Sequence, residues 1–338
     1  MGHDTTGRRQ FLFAVSGATA ASVAGCLGSI ASRQPDNYST PAAVAYEAVV
    51  DSQWLEDNLE AVEILDIRRE KDFLSGHIEG AHRLPDTELL RDHYAETDDG
   101  YEASPEVIAD IAAQAGIERG DDVVVYGEGS TLWETYAIYT LRAIGHEGTV
   151  ALLDGGYTVW EAANAPTETD DVDAADSQYE PALDMDVVAT RAHVAERVHE
   201  EGADVQLVDN RTPEEYWGLD EDDRASRHGH ITGAINVNFP QNLVESGARL
   251  RSPEDLEQLW LDDAGLEPDE ETITYCTTAV RGSVGWFILG LLGFEELRNY
   301  EGSWHDWGTL SSADGYHYTS GEGSGTVIDT FAESSTHD

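Results

Sequence analysis

The chain has 338 residues, enough for two domains, and 40% of them are hydrophobic, enough for well-packed cores. It carries 19 Lys and Arg against 67 Asp and Glu, which gives a formal net charge of -48. Because phosphate binding requires clustered Lys and Arg, this balance argues against a nucleic-acid partner. The composition resembles that of halophilic proteins, whose surface charges are screened beyond about 3 Å at 1 M salt.

Residues 1–40 predict an export signal and a tether. The paired arginines Arg8-Arg9 precede a modest apolar run at 11–25, which is short for a membrane span and typical of a signal h-region. This pattern indicates the twin-arginine route, and Val23-Ala-Gly-Cys26 resembles a lipobox in which Cys26 becomes lipidated. An uncleaved helical anchor is the alternative. We therefore expect the protein on the outer face of the cytoplasmic membrane, held only by this lipid anchor.

The rest of the chain contains an internal repeat. Four landmarks recur in the same order, at offsets of 143, 153, 149 and 147 residues. They are the pairs Asp66 and Asp209, His77 and His230, Tyr126 and Tyr275, and Trp160 and Trp307. Ordered landmarks of this kind predict a duplicated domain. The rise in offset from 143 to 153 places an insert in the second copy, around 218–227, which we interpret as an acidic surface loop.

Each copy alternates short apolar strands with helical stretches such as 105–115 and 253–264. This alternation predicts the α/β class, with a mostly parallel sheet and helices on both faces of it in each domain. Composition then divides the chain into five segments. They are the signal and tether at 1–40, a first domain at 41–165, a linker at 166–184, a second domain at 185–310 and a flexible tail at 311–338.

The stretch 272–292 carries the chemistry. Thr272-Ile-Thr-Tyr275 predicts a buried strand, and the apolar run from Ser283 predicts a helix that ends near Gly293. Cys276 opens the loop between them and Arg281 closes it. A strand that turns sharply into a helix directs backbone N–H groups at one spot, where the helix dipole favours negative charge. A thiol placed there ionises easily, so Cys276 is the candidate nucleophile.

Other kinds of site find little support in the sequence. Cys26 and Cys276 are the only cysteines, and each has a separate predicted task, so no structural disulfide is expected. His228 and His230 are the only close pair of histidines, and two such ligands without a third are weak support for zinc. We therefore predict neither a metal nor a cofactor.

The ordered motifs match a known family. The duplication, the Asp-x-Arg and Gly-His-Ile-x-Gly-Ala segments of both copies, Tyr275-Cys276 with Arg281, and Arg298-Asn-Tyr-Glu-Gly-Ser-Trp304 resemble the tandem-domain rhodaneses, the thiosulfate sulfurtransferases. The resemblance covers roughly residues 42–308. It implies an inactive N-terminal rhodanese-like domain and a catalytic C-terminal one. Gly127 agrees with this, because it stands where the first copy would need its cysteine.

The resemblance also implies a mechanism. Cys276 takes the outer sulfur of a small anionic donor such as thiosulfate, forms a persulfide, and passes the sulfur to cyanide or a thiol. The persulfide is expected to lie among backbone N–H groups of the loop, and the donor against two guanidinium groups. The residues assigned to substrate binding are Thr277, Thr278, Ala279, Val280, Arg281 and Arg211. Asp209 and His230 are expected to be structural, because the inactive copy has both.

The donor and the class of activity leave alternatives open. The loop residues 277–280 match neither the thiosulfate-type nor the mercaptopyruvate-type loops, so a 3-mercaptopyruvate sulfurtransferase is the alternative function. A cysteine phosphatase would have five residues between Cys and Arg, whereas this loop has four. A non-catalytic surface module that binds sulfur compounds or a partner is the third possibility. The oligomeric state is not predicted.

Overall fold

A computed structural model of the chain describes residues 11–12, 40–41, 47–84, 94–97, 100–170, 177–199, 205–220, 225–244 and 249–331. Within these ranges no helix is long and apolar enough to cross a membrane, and no group of three or more His, Cys, Asp or Glu is placed to hold a metal ion. Strands β1 (Phe11–Leu12) and β2 (Thr40–Pro41) pair antiparallel. Cys26 and most of the predicted signal lie outside the described residues.

The first domain is built around a parallel sheet. Its strands are β3 (Glu47–Val50), β4 (Glu63–Asp66), β5 (His77–Ile78), β6 (Ala81–Arg83), β7 (Tyr94–Thr97), β8 (Gly100–Ala103), β9 (Val123–Tyr126) and β10 (Val150–Leu153), followed by β11 (Thr167–Glu168). Its helices are α1 (Ser52–Asn58), α2 (Glu70–Phe73), α3 (Pro105–Gln114), α4 (Leu132–Ala143) and α5 (Gly156–Ala162). The sheet order is β3-β10-β9-β4-β6, with every pair parallel.

The second domain repeats this plan. Its strands are β12 (Val188–Ala189), β13 (Gln206–Asp209), β14 (His230–Ile231), β15 (Ile235–Val237), β16 (Thr272–Tyr275), β17 (Leu297–Tyr300), β18 (Tyr318–Thr319) and β19 (Thr326–Ile328). Its helices are α6 (Arg191–His199), α7 (Pro213–Trp217), α8 (Pro253–Glu257), α9 (Val280–Leu291) and α10 (Ser303–Trp307), with a π-helical turn at Gln258–Asp263 and 3-10 turns at Phe239–Asn242 and Ser312–Asp314. The parallel order β12-β17-β16-β13-β15-β19 confirms the predicted fold class and duplication.

The central strands are buried along their whole length. All four residues of β9 and all four of β16 are buried. Strands covered by helices on both faces have no solvent side, so they read as continuous apolar or β-branched runs rather than as alternating ones. A parallel sheet of this kind brings the carboxyl ends of its strands to one edge, where functional loops gather. Cys276 follows β16 directly at this edge.

The two domains pack through equivalent helices, α4 and α9. The hydroxyls of Thr135 and Ser283, each the fourth residue of its helix, lie 3.1 Å apart and are hydrogen-bonded. Tyr139 and Trp286 meet edge to face with ring centres 5.3 Å apart. The contact between the equivalent residues Thr135 and Ser283 is the one expected if an approximate two-fold axis relates the domains.

The segment after residue 310 differs from the predicted flexible tail. Strand β19 pairs parallel with β15 and becomes the edge of the main sheet, while β18 pairs antiparallel with β14. The Gln241 amide donates to the Ile328 carbonyl at 2.7 Å, and the Tyr216 hydroxyl accepts from the Thr326 N–H at 3.1 Å. The Gly- and Ser-rich composition led to the prediction of a flexible tail, although the β-branched run Thr326-Val-Ile328 within it has high strand propensity.

The linker and the insert are also anchored where the structure describes them. The Ser177 hydroxyl donates to the Ala113 and Ile117 carbonyls, at 3.0 and 3.1 Å, so this part of the linker lies along the first domain. At the end of the insert, the Arg227 guanidinium donates to the Tyr316 carbonyl at 2.8 Å. The described end of the insert at Arg227 therefore packs against the C-terminal segment.

Candidate active site

The loop that starts at Cys276 is shorter than predicted. Ala279 adopts a left-handed conformation, with φ of 65°, and α9 begins directly after it at Val280 rather than at Ser283. Arg281 therefore lies in the first helical turn instead of closing a loop. The N–H groups of that turn have no partner inside the helix and are available to other groups.

Two backbone N–H groups point at the cysteine sulfur. The Arg281 N–H lies 3.2 Å and the Thr278 N–H 3.4 Å from Cys276 Sγ. The sulfur also lies at the N-terminal, electropositive end of the 12-residue helix α9. Both features stabilise negative charge on sulfur, in a thiolate or in a persulfide. Cys276 is 1% exposed, and of the loop residues 276–281 only Thr278 and Arg281 are more than slightly accessible.

We expected the other loop residues to join this cradle, the set of backbone N–H groups around the sulfur. They form different hydrogen bonds, so this part of the prediction is wrong. The Ala279 N–H donates to the Ser303 hydroxyl at 2.9 Å, and the Val280 N–H donates to the Thr278 carbonyl at 2.9 Å. The Thr277 hydroxyl binds Glu215 and not the sulfur. These amides are turned away because the left-handed residue at 279 reverses the chain before the helix starts.

Ser303 holds the loop in place, and sequence reasoning missed it. Its hydroxyl accepts from the Cys276 N–H at 3.3 Å and the Ala279 N–H at 2.9 Å, and it donates to the Tyr300 carbonyl at 2.7 Å. The next residue, Trp304, donates its N–H to the Cys276 carbonyl at 2.9 Å. A comparison of the two copies could have pointed to this residue, because the inactive first copy has Gly156 where the second has Ser303.

Arg281 is held by a carboxylate, Glu215, that sequence reasoning also missed. Its guanidinium donates two parallel hydrogen bonds to Glu215, at 2.6 and 2.8 Å, and a third to the Thr277 hydroxyl at 2.6 Å. Thr212 caps α7 in a capping box with Glu215, which fixes the carboxylate. The Thr212-x-x-Glu215 spacing was the available signal, but it indicates only a helix start.

The charges of this cluster stabilise each other. Burial alone would raise the pKa of Glu215, but the hydrogen bonds and positive charge of Arg281 outweigh it and lower the pKa to about 2. Burial alone would lower the pKa of Arg281, but its bonds to Glu215 and the negative charge of Cys276 raise it. At neutral pH the pair is therefore a charged, bidentate ion pair beside the sulfur.

The structure contradicts the predicted substrate role of Arg211. Its side chain is 2% exposed, donates to both carboxylate oxygens of Asp209 and to the Gly229 carbonyl, and its guanidinium lies 4.8 Å from the ring centre of Trp304. No face of it is open to a ligand. The first copy repeats this arrangement through Arg68, Asp66, Gly76 and Tyr157. A network present in both copies is structural, which agrees with the expectation for Asp209.

His230 is structural as well. Its ring stacks on Tyr216 with centres 3.6 Å apart, and its Nδ1 lies 2.8 Å from the Tyr216 carbonyl. Burial lowers the pKa of this histidine, so the ring is neutral at pH 7. In the first copy His77 stacks on Phe73 in the same way. The Gly-His-Ile motif is thus explained by packing in both domains.

The corresponding loop of the first copy is filled by its own carboxylate. Glu134 accepts hydrogen bonds from the Gly129 N–H and the Ser130 hydroxyl, both at 3.2 Å. A side chain added at Gly127 would overlap the Glu134 carboxylate. Burial raises the pKa of Glu134. The first copy therefore lacks both the sulfur and the space for it.

A sequence profile of the rhodanese-like domain matches the chain twice, at residues 51–163 and 190–310. A thiosulfate sulfurtransferase of Corynebacterium glutamicum is 33% identical over 276 residues, which are 78% of this chain and 88% of that protein. The sulfur carrier protein TtuD of Thermus thermophilus is 31% identical over 277 residues, or 78% and 94% of the two chains. The crystal structure of SseA from Escherichia coli, described among the 3-mercaptopyruvate sulfotransferases, is 25% identical with a TM-score of 0.65, covering 77% of this chain and 99% of its own. This chain therefore belongs to the rhodanese family of sulfurtransferases and contains two rhodanese-like domains in tandem.

Proposed function

We propose that the protein transfers the outer sulfur of thiosulfate through a persulfide on Cys276. The thiolate attacks the outer sulfur, the S–S bond of the donor breaks, and sulfite leaves with the bonding electron pair. Cyanide or a thiolate then attacks the outer sulfur of the persulfide, which releases thiocyanate or a new persulfide and restores the thiolate. The observation that carries this proposal is the pair of N–H groups, of Thr278 and Arg281, directed at Cys276 Sγ.

The two N–H groups match the needs of both steps. The sulfur of Cys276 carries negative charge before the attack and again after the acceptor has taken the outer sulfur, so preorganised donors stabilise it throughout the cycle. Thr278 and Arg281 are the partly exposed residues of the loop, so donor and acceptor approach from their side. The relative from Corynebacterium glutamicum, which is named a thiosulfate sulfurtransferase, supports thiosulfate as the donor.

A second candidate donor is 3-mercaptopyruvate. The SseA structure, with a TM-score of 0.65, supports this alternative. The phosphatase alternative finds less support, because the N–H groups of Ala279 and Val280 bond within the protein and cannot encircle a phosphate. The non-catalytic alternative predicts a protein that binds a sulfur compound or a partner without turnover.

The test is a mass measurement combined with turnover. Incubation with thiosulfate should add the mass of one sulfur atom to the protein, and later addition of cyanide should remove it and yield thiocyanate. Cys276→Ser should abolish both, whereas Cys26→Ser is the matched control and should retain both. Turnover in the Cys276→Ser variant would contradict the assignment. Incubation with an aryl phosphate and with 3-mercaptopyruvate separates the alternatives.

We also propose that the protein is exported by the twin-arginine route and anchored through a lipid on Cys26. The proposal rests on the sequence pattern of Arg8-Arg9, the apolar run and the lipobox. Replacing Arg8-Arg9 by Lys-Lys should leave the precursor inside the cell, and Cys26→Ser should release the exported protein from the membrane. Unchanged fractionation of the first variant would exclude this route.

A further inference from the structure

The cation beside the reactive sulfur does not act as a free positive charge. The contacts of Arg281 with Glu215 and Thr277 use three of the five N–H groups of its guanidinium. The remaining two can still meet a ligand, and the side chain is 20% exposed. A ligand that approaches Cys276 from this side therefore meets a guanidinium that already shares its charge with a carboxylate.

The formal charges of the side chains around the sulfur offset the electropositive end of α9. Glu215 is ionised at neutral pH, since its pKa is about 2, and its charge cancels that of Arg281. The nearby Arg211 is paired with Asp209 and buried. With Cys276 as a thiolate, the cluster carries one net negative charge. In a partly buried site, repulsion by such a charge grows in proportion to the charge of the ligand.

We propose that Glu215 sets donor selectivity by its charge, and that it favours monoanionic sulfane donors over thiosulfate. An organic thiosulfonate, R–SO2–S⁻, is the monoanionic donor that serves as the probe. Attack of the Cys276 thiolate on its outer sulfur forms the persulfide and breaks the S–S bond, and a sulfinate, R–SO2⁻, leaves with the electron pair. One of the unused N–H groups of Arg281 can donate to a sulfonyl oxygen of such a donor while the guanidinium remains paired with Glu215. This inference rests on the proposed sulfurtransferase function and deepens it.

The experiment compares two donors in matched variants. Thiosulfate, with two negative charges, and methanethiosulfonate, with one, are assayed with saturating cyanide at the lowest salt concentration at which circular dichroism shows a folded protein. Glu215→Gln removes the charge and keeps a side chain that can accept from Arg281. Glu214→Gln is the control, because it removes the same charge from the same helix at an exposed position. Glu215→Asp keeps the charge and changes the geometry.

Glu215→Gln should raise kcat/KM about tenfold for thiosulfate, mainly through KM, and about threefold for methanethiosulfonate, since the effect scales with the donor charge. At molar salt both gains should shrink, because the screening length falls to about 3 Å. Glu214→Gln should change neither donor by more than about twofold. Glu215→Asp should leave the ratio between the donors unchanged even if it slows both.

Three outcomes contradict the proposals, and they are distinguishable. If Glu215→Gln slows both donors by the same factor, the ion pair serves only to hold the loop. If Glu215→Asp shifts the donor ratio as Glu215→Gln does, geometry and not charge sets selectivity. If the unaltered protein forms no persulfide with either donor, the proposed function fails, and the inference about Glu215 fails with it.

Discussion

Removal of the Ser303 hydroxyl tests how the loop that carries Cys276 is held in place. Ser303→Ala removes the acceptor of two buried N–H groups, those of Cys276 and Ala279, and the donor to the Tyr300 carbonyl. A buried polar group left without a partner costs about 1–3 kcal/mol. With three groups affected and partial relaxation, we expect the free energy of unfolding to fall by roughly 3–5 kcal/mol, which is large for a point mutation.

A second variant separates the hydrogen bonds from backbone strain. Ser303 has φ of 49°, a left-handed conformation that costs a residue with a side chain about 1–2 kcal/mol. Ser303→Gly loses the same hydrogen bonds but relieves this strain, so it should unfold at a higher denaturant concentration than Ser303→Ala. Gly156, which occupies the equivalent position of the first copy with φ of 55°, shows that the backbone turn forms without the hydroxyl.

The assay is denaturant unfolding at molar salt, followed by circular dichroism, together with the rate of persulfide formation from thiosulfate. Both variants should form the persulfide at least about tenfold more slowly, because the N–H groups of Thr278 and Arg281 lose their alignment on the sulfur. If Ser303→Ala unfolds within about 1 kcal/mol of the unaltered protein and forms the persulfide at the same rate, the hydroxyl does not organise the loop.

Three further expectations follow from the geometry and the charge. Glu134→Gln should stabilise the protein at pH 7 by about 1 kcal/mol. Because burial raises the pKa of Glu134 in the fold, the protonated side chain stabilises the unaltered protein at low pH, and this stabilisation is lost as the pH rises through the raised pKa. The difference in melting temperature between the unaltered protein and Glu134→Gln should therefore vanish near pH 4.5. Gly127→Cys in a Cys276→Ser background should gain no sulfur mass, and a gain would contradict the blocked cradle. The rate with thiosulfate should rise from dilute to molar salt while the circular dichroism spectrum stays constant, because the net charge of -48 repels an anionic donor until salt screens it. A rate that does not change with salt would mean that the acidic surface does not affect the potential at the site.

The sequence was sufficient for the features that repeat. Landmarks such as Asp66 and Asp209 recur because each copy needs the same buried Asp–Arg network, so the duplication and the sheet could be predicted without coordinates. The strand at 272–275 and the position of Cys276 after it were correct because a buried β-branched run ending at a sheet edge has few alternatives. These predictions depend on local pattern and on order along the chain.

What the sequence could not provide depends on tertiary placement. The left-handed φ of Ala279 is rare for an alanine, and it moved the helix start to Val280 and thereby changed which amides face the sulfur. The partner of Arg281 lies 66 positions away at Glu215, and no local pattern connects them. Arg211 could not be distinguished from a ligand-binding arginine until its burial was known. The geometry of the site therefore depends on the pairing of side chains, on their burial and on a reversal of the backbone, which no local sequence pattern specifies.

The two copies differ at one helix position that determines whether the loop can hold a reactive sulfur. The third residue of the helix is Gly282 in the second copy and Glu134 in the first, and it decides whether the cradle is open or filled. A side chain at Gly282 would overlap Asn299, so only glycine fits at that position of the second copy. The first copy in turn fills its cradle with the Glu134 carboxylate, which uses the same kind of N–H donor that would otherwise hold a persulfide. Because the Glu134 side chain occupies the loop of the first copy and lies where a side chain at Gly127 would be, a cysteine alone would not restore catalysis to the first domain.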